Sequence, residues 1–163
     1  MVTKRKSEGF TLIEALMAAM LIGLAIAALA ASSGAFTMYN AAGVDLSTAE
    51  FLIEEVREMT APLPVVDAVS GTATFGSEAG ESLATYDDID DWNNRSYCPP
   101  IDVSRTEMPE FDAFTQQITV QNVTTANLTQ TATNHSTDLY RVTVTISKAG
   151  VPISTSSWIR AKY

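Results

Sequence analysis

With 163 residues, the chain has room for one modest folded domain beside a membrane segment. Its formal net charge of −9 argues against nucleic acid as a partner and leaves an acidic, soluble or cation-binding exterior. The lone cysteine, Cys98, cannot close an internal disulfide; beside Pro99 and Pro100 it reads as a packed or idle thiol rather than an intermolecular bridge.

Lys4, Arg5 and Lys6 lead into a run from Phe10 to Ala31 whose one charged residue is Glu14. The run is rich in Ala, Leu, Ile and Met and apolar on every side, unlike a surface helix. About 20 such residues span a bilayer, and the basic flank keeps that end in the cytoplasm. Two simpler readings compete. A secretory signal peptide would be cut near Ala28 to Ser32, and a plain anchor would need hydropathy alone. Neither accounts for Glu14, because a carboxylate at the centre of a membrane helix costs about 2.5–3.5 kcal/mol and calls for a partner.

Gly9-Phe10-Thr11-Leu12-Ile13-Glu14, behind the basic leader, resembles the start of type IV pilin-like proteins, a superfamily of pilus subunits and type II secretion pseudopilins. The resemblance covers roughly the first 32 residues. It implies that a prepilin peptidase cuts after Gly9 and N-methylates the new amine of Phe10. It further implies that Glu14 meets the Phe10 amine of a neighbouring subunit. An acid and an amine attract strongly where the dielectric is low, while each alone is a buried unpaired charge. The pair would therefore set an axial register, as a polar residue does in a coiled coil. The partners so implied are other pilin or pseudopilin subunits, the peptidase and an inner-membrane assembly platform. The implied location is the bacterial inner membrane, single-pass with a cytoplasmic N-terminus, and then a periplasmic or cell-surface filament.

The helix is expected to continue to Met59 and to stop at Pro62 and Pro64. Ala42, Leu46, Ala49, Ile53 and Val56 form a stripe at three- and four-residue steps. Ser32, Ser33 and Gly34 are places where the two halves could bend or melt. The proline common near this point in major pilins is missing. The expected divisions are a leader (1–9), a transmembrane and filament-core helix (10–32), its amphipathic continuation (33–61) and a globular head (62–163).

In the head, Thr72 to Gly76 reads as a short strand and the acidic stretch to Pro100 as an ordered loop with interleaved aromatics. Gln116 to Val123 and Tyr140 to Ser147 alternate as strands, and Lys148-Ala149-Gly150 turns the chain into a last strand over Ile153 to Ala161. The fold class is α+β, a long N-terminal helix on a small antiparallel sheet, which is also the layout the resemblance implies.

Outside the helix the strongest chemical signal is Asp87, Asp88, Asp90 and Asp91, with Glu78, Glu81, Asn93, Asn94 and Asp102 nearby in sequence. Calcium takes several oxygen ligands from a flexible loop, but the spacing completes no EF-hand. The alternatives are a solvated acidic loop or one tied to Arg95 and Arg105. The segment Asp87 to Trp92 also resembles one in minor pilins of the mannose-sensitive haemagglutinin type, which assigns no ligand. His135, the one histidine, lies in a polar loop far from Cys98, a poor case for catalysis, so no enzyme is expected. The Asn-x-Ser/Thr sequences at Asn94, Asn122, Asn127 and Asn134 follow from Asn/Thr richness, and Trp92 and Trp158 read as core or domain-face aromatics rather than ligand platforms. The function expected is a structural subunit, a minor pilin given the irregular head and the missing proline. A pseudopilin and a monomeric membrane-anchored binding protein are the alternatives.

Overall fold

A computed structural model describes residues 9–69 and 71–162; the basic leader residues Lys4, Arg5 and Lys6 lie outside them. Helix α1 runs from Leu12 to Thr60, 49 residues, with no break at Ser32 to Gly34. The Thr37 hydroxyl donates to the Ser33 carbonyl at 3.0 Å, one turn back along the helix. The chain divides into two units, one ending at Val44 and the other beginning at Asp45.

In the first unit the helix presents large apolar side chains on every side, among them Leu16, Met20, Leu24 and Leu29. By length and composition this helix is long and apolar enough to cross a membrane.

In the second unit the helix buries Ala49, Leu52, Ile53, Val56 and Met59, a stripe at three- and four-residue steps. The expected stripe is thus right in phase but begins later, since Ala42 is exposed and Leu46 is 48% exposed. Four antiparallel strands face it in the order β1 (Arg95–Tyr97), β2 (Phe114–Asn122), β3 (Leu139–Lys148) and β4 (Val151–Ala161). Tyr140, Val142, Val144 and Ile146 share the buried face of β3 as their alternation predicts. Across the ladder, Ile118 pairs with Val144 and Val120 with Val142. Each fully buried aliphatic side chain of this layer is worth about 1.5–3 kcal/mol. Trp92, fully buried, joins the same core. Trp158 is only partly buried and is capped by the Arg57 guanidinium at 4.9 Å.

The helix ends at the two prolines, and its last carbonyls find a cation. Arg160 on β4 donates to Thr60 O at 2.9 Å and to Leu63 O at 3.0 Å. This satisfies orphan carbonyls where the helix dipole is negative.

One expectation for the head needs correcting. Thr72 to Gly76 is not a strand: Gly71 and Gly76 bracket it at φ +67° and +95°, which extended chain cannot accommodate. Its Phe75 packs instead on His135, with ring centroids 5.1 Å apart. Cys98 is an exposed free thiol, the idle rather than the packed of the two forms expected, with its Sγ 3.5 Å from the Asp112 carbonyl. Gln116 and Asn122 share the core face of β2 with Ile118 and Val120 and lie fully buried there.

Candidate functional site

Gly9 and Phe10 stand just before α1, with Phe10 86% exposed and open space around the Gly9 α-carbon among the described residues. Thr11 is the residue that starts the helix. Its Oγ1 accepts the Glu14 N–H at 3.3 Å, while Glu14 Oε2 accepts the Thr11 N–H at 2.9 Å and the Thr11 hydroxyl at 2.7 Å. This reciprocal Thr-x-x-Glu arrangement is a capping box, which satisfies donors that a helix N-terminus otherwise leaves open. The intramembrane acid therefore has a partner within its own chain. The pattern was visible in Thr11-Leu12-Ile13-Glu14, yet hydropathy drew attention to the charge and not to the cap.

The acidic segment is not a solvated loop. Asp88, Asp90 and Asp91 are exposed by only 1%, 1% and 0%, and Asp87 alone of the four is exposed. Trp92 causes this burial. It closes a short 3-10 helix, Asp90–Trp92, and its ring is fixed in the core edge-on to Tyr86 at 5.3 Å. Carboxylates on either side of so large an anchor are carried inward with it.

Once inside, the carboxylates divide. Asp91 Oδ2 accepts the N–H groups of Asp87 and Asp88 at 3.0 and 3.3 Å, and Asp88 Oδ1 accepts the Asp91 N–H at 3.1 Å. Asp90 has other neighbours: Oδ1 accepts the Gly76 N–H at 3.1 Å and Oδ2 lies 3.5 Å from His135 Nε2. His135 in turn bridges the Thr74 carbonyl at 2.7 Å and the Tyr140 hydroxyl at 3.0 Å, so it ties loops to β3.

Among the described residues, the close carboxylate triads include two glutamates and leave Asp90 out. Glu78, Glu81 and Asp91 bring one carboxylate oxygen each within 4.8 Å of the others; so do Asp87, Asp88 and Asp91, and so do Asp67, Glu81 and Asp87. The turn that delivers them contains Gly80 at φ +100° and closes with the Glu78 N–H on Glu81 Oε2 at 2.8 Å. The remaining sequence candidates are engaged elsewhere. Asn93 accepts the Val120 N–H at 3.1 Å, and Asp102 folds onto its own turn by accepting from Ser104 and Thr106 at 2.8 Å each. Asn94 occupies the left-handed region at φ +57°.

Nor is the loop tied to arginine through its acids. Arg95 donates to the Asp91 carbonyl at 2.8 Å and to Ser77, and Arg105 donates to the carbonyls of Leu83 and Tyr86 at 2.8 and 2.7 Å. Both guanidinium groups lie over aromatic rings, of Tyr86 and Trp92 respectively. Burial pushes the Asp88 and Glu81 carboxyls up to about 7, with the charges of Asp90 and Asp91 respectively adding to it. Burial also raises Asp90 to about 6 against the Gly76 N–H, and it raises Asp91, helped by the Asp88 charge.

Comparison with known proteins adds one match. The family described as the prokaryotic N-terminal methylation motif matches residues 4–30. It covers the basic leader, the Gly9-Phe10 junction and Glu14. The match supports a type IV pilin-like prepilin segment and with it a pilin- or pseudopilin-type subunit, and the apolar N-terminal helix fits a membrane anchor. No curated protein and no solved structure matches the chain.

Proposed function

We propose that this chain is a structural subunit of a type IV pilus, a minor pilin, cut after Gly9 by a prepilin peptidase and methylated on Phe10. The observation that carries the reading is the position of Glu14. It stands at the head of a helix that is apolar all round, five residues beyond Gly9 within the methylation motif. The same helix continues into the core of the second unit, so one element serves both membrane and head. In this reading residues 1–9 are the leader, 10–32 the transmembrane and filament-core segment, 33–61 its continuation and 62–163 the head. The precursor sits in the inner membrane with its N-terminus in the cytoplasm before it enters the filament.

Glu14 then has two tasks. In the membrane its capping box with Thr11 lowers the cost of the charge. In the filament the carboxylate meets the methylated amine of Phe10 from a neighbouring subunit and sets the axial register. An exchange of this kind asks for an acceptor that is satisfied before assembly and still able to take a cationic donor. A carboxylate, with about four lone-pair sites, can do both.

A type II secretion pseudopilin is the second reading, favoured by the same processing segment. Imaging and mass spectrometry of sheared surface filaments separate the two. A chain beginning at N-methylated Phe10 and recovered in pili supports the first reading. The same mature chain confined to the cell envelope supports the second. A mature terminus near Ala31 removes both.

A further inference from the structure

We propose that Asp91, together with Glu78, Glu81, Asp87 and Asp88, forms a calcium site in the head.

The inference starts from an oxygen with nothing to bind. Asp91 is fully buried, and its Oδ2 takes the two backbone N–H groups of Asp87 and Asp88. Its Oδ1 is buried with no hydrogen-bond donor. An acceptor left so costs roughly 1–3 kcal/mol or more, so native structures supply it with a donor or a cation. What surrounds this carboxylate is more carboxylate: Glu78 and Glu81 form one triad with Asp91 and Asp87 and Asp88 another, the three oxygens of each triad within 4.8 Å of one another. Among the described residues, neither Arg95 nor Arg105 makes an ion pair with Glu81, Asp87, Asp88 or Asp91; their donors go to carbonyls and to Ser77.

The spacing suits calcium. Oxygen ligands of one calcium lie at about 2.3–2.6 Å from it, so two of them are at most about 5 Å apart. Each carboxylate triad here meets that limit before any ion has drawn it together. The scaffold suits it as well. Asp91 is held by the 3-10 helix that Trp92 anchors in the core, a fixed wall. Glu78 and Glu81 come from a turn around Gly80, whose left-handed φ is accessible to glycine without strain. A rigid ligand set facing an adaptable one matches a cation of irregular, six- to eightfold oxygen coordination. Magnesium asks for near-ideal octahedra and holds its waters. Asp90 takes no part in these triads; its carboxylate faces the Gly76 N–H and the His135 ring, and the proposed site does without it.

The test uses the full chain in detergent micelles, stripped with chelator, with unfolding followed by tryptophan fluorescence. Calcium at a hundredfold excess over its Kd should raise the melting temperature by about 5–10 °C, and chelator should reverse the gain. Terbium, a calcium substitute, should luminesce on excitation of Trp92 and Tyr86. Asp91→Asn should abolish both effects, while Asp90→Asn should keep them. If Asp91→Asn does not fold, Glu81→Gln, at a less buried position, should weaken calcium binding at least tenfold and serves in its place. No shift at millimolar calcium, an equal shift with magnesium, or full retention in both Asp91→Asn and Glu81→Gln overturns the site. Filament assembly is not the readout, so the result stands apart from the pilin reading.

Discussion

The side-chain amide of Gln116 donates to the backbone carbonyl of Leu52 at 3.0 Å, joining the centre of β2 to the middle of the buried helix face. The same side chain accepts the Ile101 N–H at 3.2 Å and donates to the Ile101 carbonyl at 3.3 Å. One buried amide thus holds three layers of the head in register: helix, sheet and the loop after β1. Replacing Gln116 by Ala leaves the Ile101 groups buried without partners and should lower stability by about 1–3 kcal/mol. Gln116→Glu should do at least as much harm, since it removes the donor to Leu52 and buries a charge. Urea unfolding of the full chain in micelles measures this. A change within experimental error for both variants would show that the network is dispensable.

The hairpin between β3 and β4 offers the opposite sign. Ala149 and Gly150 form its two-residue turn, both with positive φ, at +50° and +80°. Gly150 suits that geometry and Ala149 does not, because its Cβ crowds the carbonyl at a cost of about 1–2 kcal/mol. Ala149→Asn, giving the preferred Asn-Gly turn, should therefore stabilise the head by about 0.5–1 kcal/mol. The same unfolding assay should place its midpoint above that of the parent chain; a lower midpoint contradicts the turn assignment.

Without divalent cations, the acidic cluster should make the head less stable as pH rises. Asp88 and Glu81 titrate near 7 and Asp90 near 6 in the folded chain, against ordinary values of 3.8 for Asp and 4.5 for Glu. Between about pH 4 and pH 7 the folded chain then binds more protons than the unfolded one, so stability falls with increasing pH across that window. The groups facing these acids are the other carboxylates and, at Asp90, the His135 ring. In chelator, the urea midpoint near pH 5 should exceed that near pH 7.5. The reverse order would mean that the acids are compensated by positive charge.

Glu14 can be separated into its two tasks by substitution. Thr11→Ala removes the hydroxyl half of the capping box but keeps the carboxylate, so helix entry weakens by about 0.5–2 kcal/mol while filament register survives. Glu14→Gln retains a hydrogen-bond acceptor for Thr11 but loses the charge, so it should insert and be cleaved, then enter filaments poorly. Glu14→Ala loses both. The measurement is the ratio of this subunit in sheared filaments to that in membranes. Equal ratios for Glu14→Ala and the parent would end the register argument.

Cleavage itself has a simple signature. Gly9 meets nothing among the described residues, so a bulky side chain there has no steric effect on the fold. Gly9→Leu should therefore fold and insert normally yet remain as uncut precursor, seen by mass spectrometry of the membrane fraction. Normal processing of that variant would show that the junction lies elsewhere.

The sequence by itself determined the features that depend on near neighbours along the chain. Apolarity on every face marked the membrane half of α1, prolines marked its end, and alternation in Tyr140 to Ile146 marked both the strand and its buried face. These signals are local because side-chain direction repeats every 3.6 or 2 residues whatever lies opposite. The tertiary structure decided everything that turns on what does lie opposite. Gln116 and Asn122 look polar, yet they are in the core because the backbone groups of Leu52, Ile101, Thr137 and Leu139 reach them there. Thr72 to Gly76 has strand composition, but it joins no ladder and its Phe75 packs on His135 and Tyr140. The acids between Tyr86 and Trp92 left a calcium loop, a solvated loop and an arginine-tied loop open, since no local pattern says whether a charge is buried. Burying the large ring of Trp92 drew Asp88, Asp90 and Asp91 in with it, and only the folded chain brings Glu78 and Glu81 to Asp91 and gives Asp90 to His135.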